Sequence, residues 1–130
     1  PTNDFTYPDV VVACGQPKFV DGYKDTLANP TLIVEVLSPS TQSYDRNGKF
    51  AMYRRIESLK EYVLVAQDTP LVESFIRTSD TNWSFQEYDA LDAVLELPCI
   101  NSSLSLSQIF EGVTFPPVPD QTTDIGELPI

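Results

Sequence analysis

An α/β fold built on a mixed sheet is predicted by three features of this 130-residue chain. The segment TLIVEVL, residues 31–37, is apolar on both of its alternating sets, which is the pattern of a strand covered on two faces. Residues 43–57 switch to helical spacing, and EYVLVAQ at 61–67 returns to a buried-strand run. A strand, a helix and a second buried strand of these lengths make a crossover unit. Such a unit lays the two strands parallel in one sheet, with a right-handed connection.

The elements follow in chain order. DVVVAC, residues 9–14, is a short β-branched strand opened by Pro8. The stretch from Gly15 to Pro30 contains two glycines and two prolines and reads as a long connection or an irregular hairpin. Ser38-Pro39 ends the second strand. In the helical segment Phe50, Tyr53 and Ile56 recur at helix spacing beside Ala51, and Ser40, Thr41 or Ser43 can supply an N-cap oxygen. Gly48 weakens that helix by up to ~1 kcal/mol, so tertiary contacts must hold it. Beyond Asp68 the pattern alternates: LVESFIRT and WSFQEY flank SDTN as a hairpin, AVLELP adds a strand at the sheet edge, and SLSQIF is a short helix.

With 42% hydrophobic residues the chain can bury one core, so a single domain over residues 1–111 is expected. Residues 112–130, with four prolines among acids, read as an extended or disordered arm. The chain begins at Pro1 and its one methionine is Met52, as in a processed chain or part of a longer one. No apolar run nears the ~20 residues of a membrane span and no leader pattern is present, so a soluble, cytoplasmic protein is the expectation.

Composition removes several chemistries. There is no histidine, which excludes serine-histidine and cysteine-histidine nucleophilic sites and the histidine-dependent metalloproteases. Cys14 and Cys99 lack CxxC spacing and read as free buried thiols. A net charge of −11 argues against a phosphate-coating nucleic-acid binder. Five of the eight basic residues nevertheless fall between residues 41 and 60: Arg46, Lys49, Arg54, Arg55 and Lys60. A basic element on an acidic body suits a phosphate ligand, and it also suits an ordinary solvated helix face.

Glu35 raises the central question, because it lies inside a strand that otherwise reads as buried. An ionised carboxylate out of water needs a cation, hydrogen bonds or a proton. One solution is an ion pair with Lys49 or an arginine of the following helix. Another is a metal shared with a second acid, for which Asp9 at the start of the first strand is the best placed. Asp45, Lys49 and Tyr53 are spaced four apart and share one helical stripe. The same spacing also makes the common surface ion pair, worth only ~0.2–0.5 kcal/mol.

YPDVVV, PTLIVEVLSPST, YDRNGKFAMYRR and EYVLV together resemble the ordered signature blocks of the Uma-type family of restriction-endonuclease-like proteins, a branch of the PD-(D/E)XK nuclease superfamily. The resemblance is close over residues 7–67. It implies a restriction-endonuclease-like core with a C-terminal antiparallel extension, and a magnesium site held by Asp9 and Glu35. The superfamily places its lysine two residues after the second acid, where this chain has Leu37; the Uma-type pattern moves it to the next helix, which makes Lys49 the candidate. The superfamily also begins with a helix and a strand ahead of the aspartate, and this chain starts too close to Asp9 to contain them.

The activity so implied is metal-dependent hydrolysis of phosphodiester bonds in DNA, with Mg²⁺, or Mn²⁺ in its place, as cofactor. The Val36 carbonyl joins the two acids as a ligand, Lys49 orients the nucleophile, and Asp45 or Tyr53 holds Lys49. Ser38 and Thr41 are candidate phosphate donors beside their capping and turn roles, and Arg54 and Arg55 are candidate backbone contacts. A homodimer through the proline-bearing arm is a further expectation. The competing reading keeps the fold without catalysis, as a structural or protein-interaction module in which Lys49 neutralises Glu35.

Overall fold

The computed structural model describes residues 8–20, 22, 27–38 and 44–115. In chain order the elements are β1 (Val10–Val12), β2 (Leu32–Leu37), a π-helical turn (Tyr44–Lys49) running into α1 (Phe50–Tyr53), β3 (Glu61–Ala66), β4 (Val72–Arg77) and β5 (Trp83–Tyr88). Then come β6 (Val94–Leu97), a 3₁₀ turn (Pro98–Ile100), β7 (Ser102–Ser105) and α2 (Leu106–Ile109). β1 to β5 form one sheet in sequence order. β2 and β3 run parallel, as the crossover pattern required, and the other neighbours are antiparallel.

The two-sided apolar runs take the interior of the sheet, with β2 and β3 covered on both faces except at exposed Val36. On one face Ile33, Leu37, Leu59, Tyr62 and Leu64 pack with Tyr53 and the π/α segment. Phe50 stacks within 5.5 Å of Tyr62 and meets Trp83 edge-on at 5.2 Å. On the other face Leu32, Val63 and Val72 pack with Leu95 and Leu97 of β6 and with Leu106 and Phe110 around α2. The result is a central sheet with a short helical layer on one side and a small β-α layer on the other.

Several expectations are corrected. The helix foreseen over residues 43–57 is regular only from Tyr44 to Tyr53, and its first part is π-wound. The candidate caps Ser40, Thr41 and Ser43 lie outside the described residues. Its early end has a visible cause: the Arg77 guanidinium donates to the carbonyls of Arg54, Ile56 and Leu59 at 3.0, 2.9 and 2.7 Å. Those acceptors are held in a turn instead of a continuing helix.

AVLELP does not extend the main sheet. Left-handed Asn101 (φ 55°) turns the chain back, and β6 pairs with β7 in a separate two-stranded sheet. Ser105 and Gln108 then cap α2 reciprocally. The first strand is three residues long, not six, because the chain bends at Cys14 and Gly15, the latter at φ 82°. Of the connection after it, expected as a long connection or an irregular hairpin, the described residues show an antiparallel bridge between Phe19 and Leu27. The β4–β5 hairpin closes as expected, Thr78 N–H donating to the Asn82 carbonyl at 2.8 Å. Of the expected arm, Phe115 packs on Phe110 at 5.3 Å, and residues 116–130 lie outside the described residues.

Candidate active site

Strand alternation sets the site. Ile33, Glu35 and Leu37 project to the face of β2 covered by α1, so the carboxylate enters an apolar and aromatic layer and is only 3% exposed. Its Oε2 accepts hydrogen bonds from the Lys49 ammonium and the Tyr53 hydroxyl, each at 3.2 Å. Lys49 reaches back to Asp45 Oδ1 at 3.1 Å. Asp45 is itself buried, and the Tyr62 hydroxyl donates to its backbone carbonyl at 2.8 Å.

Spacing by four therefore produces a buried cluster and not a surface pair. Asp45, Lys49 and Tyr53 descend one stripe of the π/α segment, and all three engage each other or Glu35 below them. The segment is pinned from its other side by Arg46, whose Nε donates to Glu73 Oε1 at 2.8 Å. Glu35 is in register with Leu64 and Leu64 with Glu73, so both carboxylates lie in one row across the sheet. Glu73 escaped the sequence reading. The signal was its phase with Phe75 in LVESFIRT, which marks it as facing the helix.

The electrostatics follow from burial. Desolvation pushes the Glu35 carboxyl above its ordinary value, and the hydrogen bonds and charge of Lys49 and Tyr53 only partly offset it. For Lys49 burial acts downward, yet bonding to Asp45 and Glu35 outweighs it and raises the ammonium. The cation is the firmly ionised member of the group, since it answers two acids. Tyr62, buried beneath them, is also pushed upward, by desolvation first and by Glu35 and Asp45 next.

Asp9 arrives from β1. Continuing the antiparallel register one step past Val10 opposite Val34 sets Asp9 across from Glu35. Its carboxylate is exposed, and Oδ2 accepts the Val36 backbone N–H at 2.7 Å. Val36, exposed, follows Glu35 directly, so the Asp9 carboxylate, Glu35 and the Val36 backbone are neighbours. Among the described residues no three acid, cysteine or histidine side chains converge on one point. A cation there would have two carboxylates at most and take its other ligands from water, backbone oxygen or substrate.

The remaining candidates are less closely drawn in. Ser38 is half-buried at the end of β2, and Thr41 lies outside the described residues. Arg54 and Arg55 are exposed, with the Arg54 guanidinium 5.7 Å from the Phe50 ring. A shallow cleft lined by Leu37, Arg46, Ala66 and Asp68 among others opens at the C-terminal ends of β2 and β3. That is where parallel strands present ligands in open α/β sheets.

Comparison with known proteins agrees with this architecture. The chain is 39% identical over 95 residues to the uncharacterised protein sll1609 of Synechocystis and 38% identical over 116 residues to slr1290 of the same organism. Those matches take in 73% and 88% of this chain but only 54% and 58% of the relatives, so the chain spans little more than half of their length. In fold it is similar to the crystal structure of a putative nuclease of the DUF820 group from Anabaena variabilis. The TM-score is 0.53 at 18% identity, covering 65% of this chain and 46% of that one. Residues 1–108 match the Uma2 family, described as putative restriction endonucleases, and with the match running over most of its length the chain belongs to that family.

Proposed function

We propose that the chain is the catalytic core of a divalent-cation-dependent endonuclease that hydrolyses phosphodiester bonds in DNA. The observation that carries the reading is the convergence on Glu35: a buried carboxylate bonded by Lys49 and Tyr53, with Asp9 set opposite it across β1 and β2. The donor set fits a hard ion. Magnesium is commonly held by one or two carboxylates and keeps several waters, so Asp9, Glu35 and the Val36 carbonyl suffice. Both bonds to Glu35 fall on Oε2, which leaves Oε1 as the oxygen for a cation. When bound, the ion supplies Lewis acidity toward a phosphate oxygen and a lowered pKa for water.

The chain's own residues do the rest. Lys49, its ammonium favoured by Asp45 and Glu35, brings a positive charge to the pair and orients the attacking water or the scissile phosphate. Asp45 keeps Lys49 on station, and Tyr53 fixes the Glu35 rotamer. Arg54 and Arg55, exposed on the same segment, contact the nucleic-acid backbone.

A second reading has its own support. Lys49 is only 17% exposed and closes on two acids, which is the arrangement of a structural ion pair in a non-catalytic interaction module. Calorimetric titration with Mg²⁺ and Mn²⁺ separates the two. The nuclease reading expects binding that disappears in Asp9→Ala and in Glu35→Gln, and plasmid nicking that falls at least ~100-fold in Lys49→Ala while cation binding persists. Unchanged cation binding in both acid variants assigns Glu35 to the scaffold.

A further inference from the structure

Outside the Glu35 site the structure brings two cysteines together across 85 residues of chain. The Cys14 thiol donates to the Cys99 carbonyl oxygen at 3.8 Å. A carbonyl oxygen sits about 2.4 Å from its own Cα, so the Cys14 sulfur lies within about 6 Å of the Cys99 Cα. In a disulfide each sulfur stands at most about 4.9 Å from the partner's Cα, so closure takes rotation about the side-chain bonds and a shift of the bend at Cys14 that brings its sulfur about 1–2 Å nearer.

The backbone locks this corner from a second direction. The Cys14 N–H donates to Thr31 Oγ1 at 3.1 Å, and the Thr31 carbonyl accepts the N–H groups of Lys60 and Glu61 at 2.8 and 3.2 Å. Glu61 is fully buried, and neither of its carboxylate oxygens has a hydrogen bond of good geometry among the described residues. The Cys99 thiol and Ser74 are the groups beside it. The corner thus holds an exposed thiol, a half-buried thiol and a buried carboxylate that can take a proton.

We infer that Cys14 and Cys99 are a redox pair, which a small-molecule disulfide converts into an intramolecular bond clamping the bend after β1 to the 3₁₀ turn between β6 and β7. Exposure makes Cys14 the sulfur that meets the oxidant. Burial, followed by Glu61, pushes the Cys99 thiol up to about 12, so Cys99 waits as a neutral thiol. In the first exchange the Cys14 thiolate attacks one sulfur of the oxidant, whose S–S bond breaks and releases one thiol. The Cys99 sulfur then attacks the Cys14 side of the mixed disulfide, passing its proton to Glu61 or water, and the second small thiol leaves. Two protein thiols are oxidised and one small disulfide is reduced. The clamp closes on the far end of β1, whose other end carries Asp9, and it stands independently of any nuclease activity.

The test incubates the full chain with oxidised glutathione, unfolds it in maleimide and reads intact and peptide masses. The expected result is a reduced chain that takes two maleimides and an oxidised monomer that takes none, carries no glutathione and yields a peptide joining residues 14 and 99. Cys99→Ser should instead retain one glutathione on Cys14. A wild-type chain that keeps glutathione on Cys14 while Cys99 still takes maleimide, or that cross-links only between chains, overturns the inference.

Discussion

On β2, Glu35 meets burial with a lysine and a phenol on one oxygen. On the neighbouring strand Glu61 is also buried, and among the described residues no cation meets it. Desolvation pushes the Glu61 carboxyl above its ordinary 4.5, with Cys99 and Ser74 offsetting only part. A carboxyl raised in this way favours the folded state below its unfolded pKa and costs stability as pH climbs through the folded value. Glu61→Gln removes that cost. The variant should be more stable by about 1–2 kcal/mol near pH 8, and the advantage should fade toward pH 4.5. Urea unfolding across that range is the measurement, and a gain that ignores pH would trace the effect to packing. The argument that singled out Glu35 in TLIVEVL applied equally to the first residue of EYVLVAQ. In the sequence a strand's first residue passes for an exposed end, and the Cys99 that lies beside Glu61 comes 38 residues later in the chain.

Among the elements, the π-wound turn and α1 depend on a residue far along the chain. Arg77, at the end of β4, donates to four backbone carbonyls and lies over the Trp83 ring at 4.5 Å. Lysine has no planar fork and cannot reproduce this. Arg77→Lys should therefore cost about 2–4 kcal/mol, seen as a lower urea midpoint at unchanged slope. This element also shows where sequence reasoning stops. The parallel β2–β3 pair was legible because both strands are apolar on both faces, and the β4–β5 hairpin because SDTN separates two alternating runs. The stripe of Asp45, Lys49 and Tyr53 was legible as spacing, while its convergence on Glu35 needed the face of β2 to be known. The helix end was not legible, since the guanidinium that captures its last carbonyls enters from 18 to 23 residues away. β6 was misplaced for a similar reason: its partner Ser102–Ser105 is polar and gives no strand signal of its own.

For the whole molecule, charge bounds what the proposed activity can look like. The chain carries −11, and among the described cations of residues 44–77 Arg46, Lys49 and Arg77 are committed to Glu73, to Glu35 with Asp45, and to backbone carbonyls. Arg54, Arg55 and Lys60 are the exposed ones around α1. With Lys60 added to the two arginines of the proposed reading, three phosphate contacts give a slope of about −3 in log K against log salt for duplex DNA, falling to about −1 in the Arg54→Ala/Arg55→Ala double variant. Fluorescence anisotropy of a labelled duplex reads both, and a flat salt response would return the two arginines to solvent.

Length and position of β1 carry one more consequence. Three residues at the margin of the sheet formed by the described strands make a segment that frays readily. Asp9 rides on it, while Glu35 stays in the rigid interior. On the proposed reading, ion capture would be coupled to a zippering step: the apparent affinity would be the intrinsic one reduced by the share of molecules in which this strand is closed. Anything that anchors the strand sharpens binding without touching a ligand.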